Sequence, residues 1–333
     1  MAELTCQHPY DDVDGASSES THPALTAYLF SASVRDRHLV VKEASRPLMS
    51  GVPRLISGTQ PIDDGYLIMD EEERTAFLSA EPLAAAYVRP FIGTEEFLYG
   101  RPRYILALRG VGPTELRKLP LSVGRLNAVR AFRQGSRRGS TLSIADEPAR
   151  FNVEVIPAGP FLVVPEVSSE RRKYVPIGWR EPPTIPSNLL RVMLDANLWH
   201  FGVLTSAMHM AWLAHIGGRL ESRYRYSAGL VFNTFAWPAE AGRGRQRVEA
   251  AAQTILDVRA SYPEASLADL YDPDVMPSDL RKAHKVLDDT VDRLYKPTPF
   301  GSDRERAEHL FGLYERLTGG LLASPRRGRK KTR

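Results

Sequence analysis

The chain has 333 residues, of which 43% are hydrophobic and 25% charged. This composition is ordinary for a soluble globular protein, and the length leaves room for two domains. Its single cysteine, Cys6, excludes an internal disulfide and a zinc cluster of several thiolates. No apolar run approaches membrane-spanning length, and the acidic N-terminus lacks the apolar core of a signal peptide. We therefore expect a cytoplasmic protein with no membrane partner.

The first part of the chain predicts a leader followed by strands and helices. Residues 1–23 are rich in Asp, Ser and Thr and predict a flexible leader. AYLFSAS and HLVVKEA are typical of short strands, and a loop-rich segment follows. The acids that open DEEERTAFLSAEPLAAAYVRPFIG favour the start of one or two helices. Further along, the pattern predicts a buried strand from Tyr104 to Leu108, a helix over residues 121–140 that breaks near Gly135, and strands in FNVEVIPAG and FLVVPEVSS.

The second part predicts one more strand, in LLRVML, and then mostly helix. An apolar helix is expected from His200 to about Ile216, and AGLVFNTFAWP predicts a last extended segment that Pro238 ends. Beyond it, apolar residues recur at helical spacing and predict three amphipathic helices. The third begins with a capping box formed by Ser302 and Glu305.

The net charge of +4 is unevenly distributed. The last nine residues, PRRGRKKTR, hold six basic side chains, which leaves a net charge of −2 for the rest. We expect residues 321–333 to form a basic disordered tail, which either binds phosphates or only aids solubility. From Arg101 to Arg138 ten residues are Arg or Lys and one, Glu115, is acidic. This basic tract predicts a phosphate-contacting surface, with a solvated helix face as the alternative.

The stretch from His200 to Pro238 ends in a polar turn that carries Glu221, Arg223 and Arg225 between aromatic residues. A Glu can accept a hydrogen bond from cytosine N4, and an Arg can donate two to guanine O6 and N7. One such pair is therefore able to read one C·G base pair. The spacing of Glu221 and Arg223 alone favours the alternative, an exposed ion pair worth less than about 1 kcal/mol.

Other chemistry-bearing residues indicate structure more than catalysis. His200, His209 and His215 lack the HExxH pattern of a zinc site and lie among apolar residues, so we expect them to be packed. Ser168-Ser169-Glu170 has no GxSxG motif around it. The two serines and the arginines that follow suit donors to a phosphate backbone, or a solvated turn at a strand end.

An ordered series of blocks resembles the large single-chain type IIL restriction–methyltransferases of the MmeI type. The blocks are RPLMSGVPRLISGTQPIDDGYLIM, YVRPFIGTEEFLYGRPRYILAL, AVRAFR, VVPEVSSERRKYVPIG, LWHFGVLTSAMHMAW, SRYRYSAGLVFNTFAWP, SLADLYDPDVMPSDLRKAHKVLD and GSDRERAEHLFGLYERL. They cover roughly residues 25 to 318 in the order of that family. Each block alone is weak evidence, whereas the whole series in order is specific.

The resemblance implies an α+β fold and a role in recognising double-stranded DNA. It implies a mixed sheet-and-helix DNA target-recognition domain over residues 24–238 and a small all-helical C-terminal subdomain over residues 239–320. Glu221 and Arg223 match the two family positions that vary with the recognised base, and an acid–Arg pair there goes with cytosine on the methylated strand. The residues predicted to contact the DNA backbone are Arg130, Arg133, Arg137, Arg138, Ser168, Ser169, Arg171, Arg172 and Arg225.

In that family a nuclease domain, a helical connector and an adenine-N6 methyltransferase domain precede these blocks. Their motifs are not found in this sequence: the nearest string to the methyltransferase loop, Gln7-His8-Pro9-Tyr10, lacks the first amide or carboxylate and the second proline. We therefore expect no catalytic residue, metal or cofactor in this chain. S-adenosylmethionine and Mg²⁺ are implied for the missing domains, which a separately encoded methyltransferase or nuclease subunit can supply. The alternative is a truncated remnant, or a stand-alone DNA-binding protein with non-specific affinity.

Overall fold

The computed structural model describes two N-terminal strands, Tyr28, and residues 40–239 and 242–322. The strands are β1 (Leu4–His8), β2 (Ser18–His22), β3 (Ile56–Ser57), β4 (Ile68–Met69), β5 (Val88–Ile92), β6 (Tyr104–Leu106), β7 (Phe161–Pro165), β8 (Val167–Ser168), β9 (Gly178–Arg180), β10 (Ile185–Pro186), β11 (Leu190–Met193), β12 (Gly218–Leu220) and β13 (Arg223–Arg225). The helices are α1 (Glu71–Ala80), α2 (Thr94–Tyr99), α3 (Pro113–Leu116), α4 (Pro120–Gln134), α5 (Gly139–Leu142), α6 (Leu198–Leu204), α7 (Ala207–Ile216), α8 (Gly242–Ala260), α9 (Leu267–Leu270), α10 (Ser278–Tyr295) and α11 (Asp303–Leu322).

The described strands form four small sheets. Their strand orders are β1-β2, β10-β5-β6-β4, β3-β11-β7-β9 and β12-β13-β8. The pair β10–β5 is parallel, and the other strand pairs within these sheets are antiparallel. Along the chain, helices alternate with these strands and then follow them, so the predicted α+β class is confirmed.

The sheet β10-β5-β6-β4 packs with α1 and α4 around one apolar cluster, to which Leu67, Phe91 and Val129 belong. Buried Glu81 accepts hydrogen bonds from the backbone N–H groups of Leu121 (2.6 Å) and Ser122 (3.0 Å). A carboxylate at this position satisfies free N–H groups of the first turn of α4 and complements the helix dipole. Because α4 ends at Gln134 with a cap at Gly135, the predicted helix break is confirmed.

A second and larger core joins strands and helices that precede residue 238 to the C-terminal helices. Residues from β7, β11, α6 and α7 share one cluster of buried side chains with α8, α10 and α11. Buried Asp288 of α10 accepts hydrogen bonds from the Ala207 N–H that opens α7 (2.7 Å) and from the Tyr174 hydroxyl (2.7 Å). This core crosses the predicted domain boundary at residue 238, and the boundary itself stays a prediction.

Several local predictions were wrong because contacts distant in sequence decide the backbone. AGLVFNTFAWP is not extended: Ala228–Phe232 form a π-helix that the Ser227 side chain caps. FNVEVIPAG is irregular apart from an isolated bridge between Gln60 and Val153. The apolar helix expected from His200 is two helices, α6 and α7, because Ser206 caps the start of the second.

The ends of the chain also differ from the expectation. β1 and β2 pair antiparallel within the predicted flexible leader. Residues 40–44 of HLVVKEA are not a strand, and most of AYLFSAS lies outside the described residues. The helix α11 runs to Leu322, and the remaining residues of the predicted basic tail lie outside the described part as well. The predicted capping box is half present: Ser302 Oγ accepts from the Glu305 N–H (3.2 Å), whereas the Glu305 carboxylate accepts from Gly301 (2.6 Å).

Candidate nucleic-acid interface

The polar turn singled out in the sequence is the tip of a β-hairpin. Strands β12 and β13 are antiparallel, with Leu220 opposite Arg223, and a two-residue loop of Glu221 and Ser222 joins them. Glu221 has a φ of +57°, in the left-handed region. Two-residue hairpin loops of types I′ and II′ require a positive φ at this first position, which Gly or Asn usually supplies. A glutamate held in this strained conformation is a pointer to function.

The strand register sorts the hairpin side chains onto two faces. Because side chains alternate along a strand, Leu220, Arg223 and Arg225 share one face, and Tyr224 shares the other with its partner Ser168 in β8. Ser168 is buried and Tyr224 half-buried, so their face is turned toward the protein. The face of Leu220, Arg223 and Arg225, which we call the outer face, is exposed to solvent.

Glu221 and Arg223 form an ion pair at the hairpin tip. One Arg223 guanidinium nitrogen lies 2.6 Å from the Glu221 carboxylate, and the two side chains are 47% and 76% exposed. An ion pair this exposed contributes less than about 1 kcal/mol. Both groups can therefore exchange this partner for an external ligand at little cost.

A second carboxylate, that of Glu170, lies against the same tip. Its own backbone N–H and the Ser222 hydroxyl donate hydrogen bonds to it, and the charges of Arg223 and Arg219 add to these, so the pKa of Glu170 is lowered. The Arg219 guanidinium stacks over the Tyr224 ring at 4.0 Å and donates to the Ser222 carbonyl (3.2 Å). Ser222 is therefore held from both sides. Sequence reasoning missed this role of Glu170, because a turn after β8 gives no signal of what it contacts.

Arg225, on the outer face, is held by an acid from the neighbouring strands. Glu166 lies 3.5 Å from Arg225 Nε and 3.1 Å from an Arg191 nitrogen. Its side chain is only 18% exposed. Sequence reasoning missed Glu166 too, although a lone acid inside the apolar run FLVVPEVSS was a usable signal, since an acid in such a run needs a cationic partner.

Behind the hairpin lies a buried polar pair. The hydroxyl of Tyr226 is 2.6 Å from His209 Nε2, and both residues are buried. Burial lowers the pKa of His209 to about 3, so the imidazole is neutral. His200 is also buried and accepts a hydrogen bond from the Asn197 N–H (3.1 Å). The interpretation of these two histidines as packed residues is confirmed.

The turn after β8 does not present all of its predicted DNA contacts. Ser168 is buried at 3% exposure as the strand partner of Tyr224, so its prediction as a phosphate contact is wrong. Ser169 accepts a hydrogen bond from the Arg171 N–H (3.3 Å). The exposed Arg171 forms an ion pair with Asp274 at 2.6 Å, and this hydrogen bond raises its pKa. Ser169, Arg171 and Arg172 stay predicted phosphate contacts.

Arg133 of the basic tract is a structural residue. It is fully buried, and its guanidinium donates to five backbone carbonyls at 2.9 to 3.1 Å. These carbonyls belong to Pro61, Ile62, Ile144, Glu147 and Arg150. The prediction that Arg133 contacts DNA phosphates is wrong, because no donor of its guanidinium is left for an external anion.

The rest of the basic tract is less positive than its sequence indicates. Among the described residues, five of its ten cations form ion pairs with carboxylates. The pairs are Arg101–Glu95, Arg103–Glu96, Arg109–Glu154, Lys118–Glu115 and Arg125–Glu73. Arg130 donates to the Asn127 side chain (3.1 Å), and Arg137 and Arg138 are exposed beyond the end of α4. Arg130, Arg137 and Arg138 stay predicted phosphate contacts.

Comparison with known protein families identifies this architecture. The family model described as the MmeI target recognition domain matches residues 35–239, and the one described as the MmeI C-terminal domain matches residues 241–322. This chain belongs to the MmeI family. The resemblance noted in the sequence is thereby confirmed, and the hairpin of β12 and β13 lies inside the matched target recognition domain.

Two similar proteins set this MmeI-family chain in context. DNA methyltransferase A of Bacillus subtilis (strain 168) is 37% identical over 281 residues, which are 84% of this chain and 32% of that protein. The solved structure of the Type IIL restriction-modification enzyme MmeI in complex with DNA matches with a TM-score of 0.88 at 35% identity. That match covers 96% of this chain and 42% of the solved one. The chain therefore spans less than half the length of either relative.

Within the part of the MmeI-family chain that the structure describes, no three or more His, Cys, Asp or Glu side chains are grouped to hold a metal ion. Over the same residues, no helix is both long and apolar enough to cross a membrane. Gln7 and His8, from the string weighed as a methyltransferase loop, end β1, and the two residues after them lie outside the described part.

Proposed function

We propose that this chain reads the base sequence of double-stranded DNA for a restriction–modification methyltransferase. The observation that carries the proposal is the exposed acid–guanidinium pair, Glu221 and Arg223, at the strained tip of a hairpin. The family membership supports it, as does the similarity to a DNA methyltransferase and to a restriction-modification enzyme in complex with DNA.

The hairpin suits reading from the major groove. This groove is about 12 Å wide and admits a two-stranded β-ribbon. On entry, the Glu221 carboxylate would accept a hydrogen bond from cytosine N4, and Arg223 would donate to O6 and N7 of the paired guanine. The contacts of Glu170 and Arg219 with Ser222 fix the loop beforehand. A fixed loop loses little conformational freedom when DNA binds.

Phosphate contacts would position the hairpin. We assign these to Arg130, Arg137 and Arg138 near the end of α4, and to Arg171 and Arg172 after β8. Ser169 and Arg225 complete the proposed backbone set. These contacts set the affinity and its dependence on salt, whereas the base edges set the sequence.

We propose that the chemistry of the whole enzyme belongs to domains other than the two matched in this chain. In the proposed function, adenine-N6 methyl transfer from S-adenosylmethionine and Mg²⁺-dependent cleavage are carried out by other domains, since this chain covers 32% of the DNA methyltransferase it matches. We propose that a further part of a longer chain, or a separate cytoplasmic subunit, supplies both activities.

The test is a binding selection from a randomised duplex library at moderate salt. The wild-type chain is expected to enrich one motif that contains a C·G pair. The double variant Glu221→Lys with Arg223→Asp is expected to change preference at that one base pair, because a Lys donates where the carboxylate accepted. It should leave the other positions of the motif unchanged.

Two results would overturn the proposal. A uniform loss of binding by the double variant at all sequences would show that the pair only folds the tip. No enriched motif, with binding that disappears as salt rises, would favour a remnant with non-specific affinity. Incubation of the chain alone with S-adenosylmethionine and DNA tests whether methyl transfer needs a further domain or subunit. Methylation by the chain alone would place the catalytic residues in this chain.

A further inference from the structure

Leu220 is an apolar side chain on the outer face of the hairpin. It is 46% exposed and stands outside the hydrophobic clusters that the described residues form. It immediately precedes Glu221 and lies directly opposite Arg223. The core therefore does not explain a leucine at this position.

Its register distinguishes Leu220 from other exposed apolar residues. Val275 and Leu83 are more exposed, at 66% and 62%, but such isolated residues are normal on protein surfaces. The Cβ atoms of directly opposite residues in an antiparallel pair lie about 4.5–5.5 Å apart. Stacked base pairs are about 3.4 Å apart. A hairpin that brings Arg223 to a base edge therefore also brings Leu220 into the groove beside it, where a neighbouring base pair is within reach.

We infer that Leu220 contacts the C5-methyl group of a thymine beside the C·G pair read by Glu221 and Arg223. The thymine methyl is the apolar feature of the major groove, and aliphatic side chains recognise it by contact. A leucine makes no hydrogen bond, so a methyl is the base feature that it can select. This inference rests on the proposed function, because it needs the hairpin in the major groove.

The experiment uses the motif selected by the wild-type chain. Each thymine next to the C·G pair is replaced by deoxyuridine, which lacks only the methyl group. Burial of one such carbon contributes roughly a fourfold change in affinity. We expect the wild-type chain to lose about that factor at one thymine, and Leu220→Ala to bind the thymine and deoxyuridine duplexes equally.

Matched controls separate contact from folding. Val286→Ala removes a valine that is 57% exposed on α10 and should keep the thymine preference of the wild-type chain. The comparison of thymine with deoxyuridine in the wild-type chain needs no variant at all. Thermal unfolding of Leu220→Ala checks that the fold is unchanged.

The outcomes that overturn this inference differ from those that overturn the proposed function. The inference fails if the selected motif has no A·T pair beside the C·G pair, or if Leu220→Ala keeps the preference for thymine. It fails as well if the wild-type chain binds both duplexes equally. In each of these cases the exchange at Glu221 and Arg223 still reports on the proposed function.

Discussion

Replacing Arg133 by Met tests whether this arginine stabilises the fold or binds DNA. The Arg133 guanidinium is buried between α4 and two loops, and it donates five hydrogen bonds to backbone carbonyls. Methionine fills much of the same volume but donates no hydrogen bond. We expect Arg133→Met to lower the free energy of unfolding and to leave the DNA affinity of the folded fraction unchanged.

The size of the effect follows from the carbonyls left behind. Two of them, those of Ile144 and Glu147, also accept a backbone N–H and keep that partner. The other three, those of Pro61, Ile62 and Arg150, lose the donor described here. Each buried acceptor without a partner costs about 1–3 kcal/mol, so we expect a loss of at least about 3 kcal/mol. This is a large share of the roughly 5–15 kcal/mol that stabilises a typical domain.

Urea unfolding followed by circular dichroism measures this loss, and titration of duplex DNA over a range of salt measures the affinity. Arg137→Ala is the matched control, because Arg137 belongs to the same basic tract and is exposed beyond the end of α4. It should leave stability unchanged and reduce the slope of log affinity against log salt by about 1. A structural role for Arg133 is refuted if Arg133→Met unfolds at the wild-type urea concentration while its slope of log affinity against log salt falls.

Two further predictions concern charge. Asp274→Asn frees Arg171 from its ion pair, so we expect stronger binding to duplex DNA and a steeper dependence on salt; unchanged binding in a salt titration would exclude Arg171 as a phosphate contact. The pKa of buried His209 is lowered to about 3, so the unfolded chain takes up a proton below pH 6.5 that the folded chain does not, and stability is lost as pH falls. At pH 5 this loss is about 2 kcal/mol, and His209→Gln should show that much less destabilisation between pH 7.5 and pH 5 in urea unfolding.

The elements that the sequence predicted best are those governed by local periodicity. The helix α10 buries Leu280, Ala283, Leu287 and Val291, which follow the helical spacing on which its prediction was based. The hairpin had no such signal. Its loop of Glu221 and Ser222 lacks the Asn-Gly or Gly that marks a two-residue turn, so only the tertiary structure reveals the strand pairing.

The error at Arg133 has a physical cause that was visible in the sequence. Its spacing from Arg130 and Arg137 indicated a basic helix edge. Its spacing from Leu126 and Val129, seven and four residues earlier, equally places it on the buried face of α4, and that face is where it lies. A buried Arg133 also needs hydrogen-bond acceptors for its guanidinium in the protein interior. These come from loops that only the fold brings together.

The hairpin tip and the segment around Glu170 that contacts it differ in how many contacts hold them to the rest of the protein. The segment that carries Glu170 is fixed to the C-terminal helices by the Arg171–Asp274 ion pair, the Tyr174–Asp288 hydrogen bond and the bond from Arg259 to the Ile177 carbonyl (2.6 Å). The tip itself has exposed side chains that contribute little to folding. Under the proposed function, substitutions at Glu221 and Arg223 are therefore expected to change what the tip binds without removing what holds it in place. This separation gives a physical reason for specificity to be changed by a pair of residues.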